Sequence, residues 1–169
     1  MQALKTQLLA LCPEDFLNNQ PLLSDLAAPH QTVMMIVPLD YEAPKGRLIL
    51  PQVMAIRDCL DHQQNILLVK EDEYAAALQN LKTPPALVVC DSQVVDKMVA
   101  QTPPEIPCTT FSILMARYKG DLQKMVHGAA QLWHLQDGDK ILIAEACTHH
   151  AADDDIGRVK IPQLIKQKT

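Results

Sequence analysis

Four short segments that are apolar on consecutive positions, each followed by a helix-forming stretch, restrict this chain more than anything else in it. Val33 to Val37, within TVMMIVPLD, is uniformly apolar and is stopped by Pro38 and Asp40. The loop YEAPKGR then leads to a helix with Pro51 near its first turn, where a missing N–H is tolerated. Val53, Ile56, Cys59 and Leu60 are assigned to its apolar face. NILLVK precedes EDEYAAALQNL, ALVVCD precedes SQVVDKMVAQ, and PCTTF precedes SILMARYK. A strand lacking a polar alternate is buried on both faces, so strands of this kind interleaved with helices predict a parallel sheet covered on both sides. Asp91 is placed to cap the helix after the third strand, and Cys90 beside it to lie in the core.

Beyond this sheet the pattern begins again without finishing. Gly120 ends one helix, Asp121 is placed to N-cap LQKMVHGAAQLWHL, and DGDK turns into a fifth strand, Ile141 to Ala144. The fold expected is therefore α/β: a parallel four-stranded sheet with flanking helices, plus an incomplete second α/β unit. Ahead of the sheet, MQALKTQLLALCPEDF reads as an amphipathic helix followed by a proline-broken connector.

Charge and composition remove several classes of function. The net charge is −5 with no basic stripe, and aromatic residues are 4%, so neither a phosphate-binding face nor base-stacking platforms are available for nucleic acid. No apolar run reaches the ~20 residues of a membrane span, and the Leu-rich start lacks a secretory cleavage pattern; a cytoplasmic protein is expected. The cysteines, at 12, 59, 90, 108 and 147, form no C-x-x-C pair, which argues against both a disulfide framework and a zinc knuckle. With glycines only at 46, 120, 128, 138 and 157, no glycine-rich phosphate loop can be built. Lys45, Gly46 and Arg47 could bind an anion at the start of the following helix, but a structural loop or an interface contact is the favoured reading.

One stretch carries metal-binding chemistry. EACTHHAADDDIGRVKIP places Cys147, His149 and His150 directly after the fifth strand, and thiolate and imidazole suit zinc or an iron–sulfur cluster. A C-x-H pair supplies two donors where about four are needed, so a metal site and a capped polar loop both remain open on the residues alone. Asp153, Asp154 and Asp155 are contiguous, unlike a calcium loop, and are expected to form a solvated turn paired with Arg158 and Lys160. No Ser/His/Asp or Cys/His catalytic arrangement can be assembled.

VPLDYEAPKGRLILPQV, VVCDSQV, TTFSILMARYKGDL and above all ILIAEACTHHAADDDIGRVKIP resemble the HydF-type FeFe-hydrogenase maturation scaffold, over nearly the whole chain from CPEDF onward. The resemblance implies a protein of three parts: a GTP-binding domain, an α/β dimerisation domain and a domain binding a 4Fe-4S cluster. The intact scaffold carries a di-iron precursor to the apo-hydrogenase and works with two radical-SAM maturases. On this basis residues 1–28 are a helix and connector, 29–120 the dimerisation domain, and 121–169 the truncated start of the cluster domain. Cys147 and His149 match the C-x-H of the family's cluster motif, while its His-Cys-x-x-Cys and its GTP-binding motifs have no counterpart here. The expectations are a homodimer made by residues of about 30 to 120, no GTPase activity, and no cluster held by this chain alone. An alternative keeps Cys147 and His149 as donors to a metal shared between two chains, a Cys2His2 site.

Overall fold

A computed structural model describes residues 2–11, 21–38, 46–144 and 155–168. The chain divides into two compact units, Met1–Gly120 and Asp121–Thr169. In the first, helix α1 (Gln2–Leu11) precedes strand β1 (Thr32–Ile36), helix α2 (Leu50–Asp61), β2 (Asn65–Val69), α3 (Tyr74–Gln79), β3 (Leu87–Cys90), α4 (Val95–Gln101), β4 (Cys108–Thr110) and α5 (Phe111–Lys119). The four strands form one sheet in the order β2-β1-β3-β4, every pair parallel. The α/β class read from the strand–helix alternation is the class observed.

Side chains of alternate strand residues point to opposite faces, and two cores result. Val33, Met35, Leu87 and Val89 point to one face, where α2, α5 and the segment carrying Leu22, Leu23 and Ala27 cover them. Met34, Ile36, Val88 and Cys90 point to the other, under Tyr74 of α3 and Met98 of α4. The fully buried positions of the central strands, Val33 to Ile36 in β1 and Leu87 to Cys90 in β3, are all apolar for this reason.

The ends of the elements are tied by side chains. Thr110 accepts from Ile113 N at 3.1 Å and caps α5; Asp91 accepts from Gln93 N at 3.1 Å ahead of α4. Tyr74 is fully buried, and its hydroxyl meets Thr102 Oγ1 at 2.5 Å, while Thr102 donates onward to Met98 O. Across the first core, Asp58 Oδ2 accepts from Leu23 N at 2.9 Å and Ser24 N at 2.8 Å, and Gln64 Nε2 donates to the carbonyls of Ser24 and Ala27. Thus the non-helical segment before β1 is stitched to α2 by polar groups.

Three local expectations are corrected. The buried face of α2 is Gln52, Ala55 and Cys59, whereas Val53 and Leu60 expose 47% and 61%. Residues 52, 55 and 59 share one helical stripe, and Gln52 is drawn into it because its side chain accepts from Ile49 N and closes the helix start. Residues 141–144 form no strand and are exposed. Asp155 is buried and not part of a solvated turn, for its Oδ1 accepts from Arg158 N at 2.7 Å.

The second unit contains α6 (Leu122–Gln131), a 3-10 turn (Leu132–His134), a π-helical turn (Ile156–Lys160) and α7 (Ile161–Lys168). Asp121 caps α6 by accepting from Lys124 N at 3.1 Å.

Candidate functional site

Cys147 and His149, with His150, Asp153 and Asp154, lie outside the described residues. Among the described residues no three His, Cys, Asp or Glu side chains come together as a metal site would require. Of the cysteines within them, Cys59 and Cys90 are fully buried and Cys108 is exposed. Burial, reinforced by Asp58, pushes the Cys59 thiol up to about 12. Burial, with Asp91 and Cys108 adding to it, does the same to Cys90. Both are core residues, kept protonated and poor as ligands or nucleophiles.

At the carboxyl ends of the strands, where ligands of open α/β sheets usually bind, Asp91 and Thr110 are occupied in capping helices. A cavity of about 770 Å³ lies elsewhere, beside α2 and the segment before β1. Its charged side chains already have internal partners: Asp58 holds Leu23 and Ser24, Asp25 pairs with Arg117, and Arg57 pairs with Asp61 at 2.8 Å. The Arg57 hydrogen bond holds the Asp61 carboxyl below the usual carboxylate range. These contacts stitch the fold and leave no charged group there aimed at a ligand.

The feature that remains is the edge of the sheet. Asn65 N donates to Gln31 O and Val37 N donates to Val69 O, both at 2.9 Å. In a parallel ladder alternate residues of the outer strand bond its neighbour, so residues 65, 67 and 69 face β1. Ile66 and Leu68 therefore direct their N–H and C=O groups away from the sheet. Leu68 is 44% exposed, and β2 is five residues long with no proline or charge in it. Such an edge is a template for another strand. The opposite edge, β4, has only three residues and follows Pro107.

A family model for the hydrogen maturase F dimerization domain matches residues 22–120, which include this entire sheet. The chain belongs to the hydrogen maturase F family. A second model, for the hydrogen maturase F tetramerization domain, matches residues 123–169. Among curated proteins no relative matches. The hydrogen maturase F assignment agrees with the resemblance carried by the sequence motifs, and it makes the chain part of a hydrogenase-maturation scaffold whose matched domains are named for self-association. Among the described residues no helix is long and apolar enough to cross a membrane.

The sequence pattern predicted a sheet with an open edge but did not say which strand would form it. The signal was present in NILLVK. Its strand is the one in which an exposed leucine follows two half-buried residues, but the strand order that makes this meaningful is a tertiary fact.

Proposed function

We propose that this chain acts as the self-assembling part of the hydrogenase-maturation scaffold, with two copies joined along β2 into one continuous sheet. The open backbone of Ile66 and Leu68 carries this reading. A two-fold axis normal to the sheet brings β2 against β2 of a second copy in antiparallel fashion, so the outward N–H and C=O groups of each satisfy those of the other. Leu68 is buried by the same event. The chain has no catalytic role of its own in this reading. Its part in maturation is to hold two copies in fixed relation while GTP binding, cluster binding and delivery of the di-iron precursor to the apo-hydrogenase, with the two radical-SAM maturases, take place on the scaffold as a whole.

For the 4Fe-4S cluster, Cys147 and His149 are the residues we assign as donors from this chain. Thiolate and imidazole fit the chemistry of such a cluster, and they supply two of about four positions. No C-x-x-C is present in the 169 residues to complete the set.

Leu68→Lys and Leu68→Pro test the edge. Proline is tolerated at an edge position whose N–H points outward, so the monomer fold should survive it. Each substitution acts twice across the two-fold. A loss of about 1–2 kcal/mol per copy would raise the dimer dissociation constant roughly 30- to 1000-fold. Light scattering of the eluting protein should show the shift to lower mass with far-ultraviolet circular dichroism unchanged. An unaltered dissociation constant in both variants would remove β2 from the interface.

A further inference from the structure

Within the unit Met1–Gly120, helix α1 and the cavity beside α2 both leave apolar surface uncovered. Residues 3 to 11 of α1 are all exposed. Leu4, Leu8 and Leu11 recur at i, i+4 and i+7, which makes them one stripe. They expose 60%, 61% and 82% of their surface. A helix of ten residues is shorter than the roughly 12–15 residues at which isolated helices become marginal in water. Its stability must therefore come from covering that stripe.

The cavity of about 770 Å³ is lined on its apolar part by Leu22, Val53, Met54 and Tyr118. Leu22, Met54 and Tyr118 belong to the first core or pack against it, and Val53 is the exposed outer member of the group. The charged groups there are occupied in stitching the fold, so what the cavity offers an occupant is chiefly apolar surface. Asp25, Asp58 and Asp61 outnumber Arg57 around it, whereas α1 carries Lys5 and no acidic residue. A lysine flanking the stripe can lay its stem on apolar surface and hold its ammonium toward such carboxylates.

Chain connectivity selects the occupant. Pro21 lines the cavity, and nine positions, 12 to 20, separate it from Leu11. That length of chain spans at most about 36 Å. A covalent link this short presents α1 to the cavity at an effective concentration on the order of millimolar, ahead of any segment that must arrive by diffusion.

We propose that α1 closes over this cavity as an intramolecular strap, laying Leu4, Leu8 and Leu11 against Leu22, Val53, Met54 and Tyr118. Closure also shields the hydrogen bonds that Leu23 N and Ser24 N donate to Asp58, because Leu22, Ser24 and Asp58 all line the cavity. The strap uses none of the backbone groups of β2 and stands whether or not β2 pairs with a second copy.

Hydrogen exchange of the unsubstituted full chain, read by mass spectrometry, tests the strap. Amides of residues 2–11 should exchange at least about tenfold more slowly than in a synthetic peptide of residues 1–20, and dilution should not change this. Leu8→Glu should abolish the protection although glutamate is nearly as good a helix former as leucine, whereas Leu8→Met should keep it. Val53→Glu should abolish it from the other side, with far-ultraviolet circular dichroism unchanged. Val99→Glu, at an exposed apolar position of α4, the helix that covers the opposite face of the sheet, should leave it intact. Peptide-like exchange in the unsubstituted chain overturns the proposal. Protection that survives either Leu8→Glu or Val53→Glu overturns it too, since α1 is then held elsewhere, and so does protection lost equally in Val99→Glu. Protection that disappears on dilution would seat α1 on a second copy and overturns the intramolecular strap.

Discussion

Replacing Asp58 with alanine should be the most damaging single change to the sheet domain that leaves both apolar cores untouched. Its Oδ2 accepts from Leu23 N and Ser24 N across a sequence separation of 35 and 34 residues. Leu23 is fully buried, whereas Ser24 is partly exposed. Removal of the acceptor strands the Leu23 N–H away from water, at about 1–3 kcal/mol, while the Ser24 N–H recovers part of its loss by hydration. The sum is about 2–4 kcal/mol, a large share of the 5–15 kcal/mol that typically separates folded from unfolded chains. Asp58→Asn keeps an oxygen in the same place and loses only the charge assistance, so it should cost about 1 kcal/mol. Urea unfolding followed by circular dichroism, at fixed protein concentration because assembly adds to apparent stability, measures both. With a slope of about 1–3 kcal/mol per molar, the alanine midpoint should fall by roughly 1–3 M and the slope should hold. If alanine costs under about 0.5 kcal/mol, or asparagine costs as much as alanine, the stitching role assigned to this carboxylate is wrong.

Two further outcomes follow from the cysteines. Cys59 and Cys90, raised to about 12 from an ordinary thiol value of 9.0, should stay unlabelled by iodoacetamide in the native protein at pH 8 while Cys108 is modified, as read by peptide mapping. A raised folded pKa contributes stability fully below the unfolded value and loses it as pH climbs toward the folded one. Stability should therefore fall between about pH 9 and 12 by up to about 1.4 kcal/mol per pH unit for each thiol, and a Cys59→Ala/Cys90→Ala variant should lose most of that slope. Separately, anaerobic reconstitution with iron and sulfide should give no stoichiometric 4Fe-4S signal by electron paramagnetic resonance, since this chain offers only the thiolate of Cys147 and the imidazole of His149 at the motif. A full signal would refute that ligand assignment, and zinc retained instead, lost in Cys147→Ser with mass unchanged, would favour a site shared between chains.

The sheet was legible because its central strands are buried on both faces. Met34 and Met35 must both be apolar, for each meets a different core, and that leaves an unbroken hydrophobic run in the sequence. The face of α2 was misread for a related reason. Val53 and Leu60 look like core residues, but hydropathy carries no record of where the sheet lies, and the small Ala55 and the capping Gln52 fit closer to it. Residues 141–144 are apolar and follow a turn, as a strand would, yet a strand exists only where a neighbour pairs with it, and no composition supplies one. Asp155 was misjudged in its exposure: it is buried, and its Oδ1 accepts from a backbone N–H three residues on at a helix start, a demand that charge patterning does not reveal.

The two edges of the sheet differ in a way that decides whether pairing closes. If β2 of one copy could add to β4 of the next, the contact would be heterologous, and parallel strands would extend the sheet into an open fibre. β4 resists this. Val88 N donates to Pro107 O at 2.9 Å, so by alternation only Cys108 and Thr110 direct backbone groups outward. Pro107 itself has no N–H to offer, and Thr110 is buried and turned into the cap of α5. A three-residue edge bounded by a proline and a helix start gives an incoming strand too few bonds to hold. The longer, uncharged β2 can then meet only its own kind across a two-fold, and that meeting uses up both edges it involves. On the β2 reading proposed above, pairing through the sheet would be closed at two copies by the shortness of β4 as much as by the openness of β2.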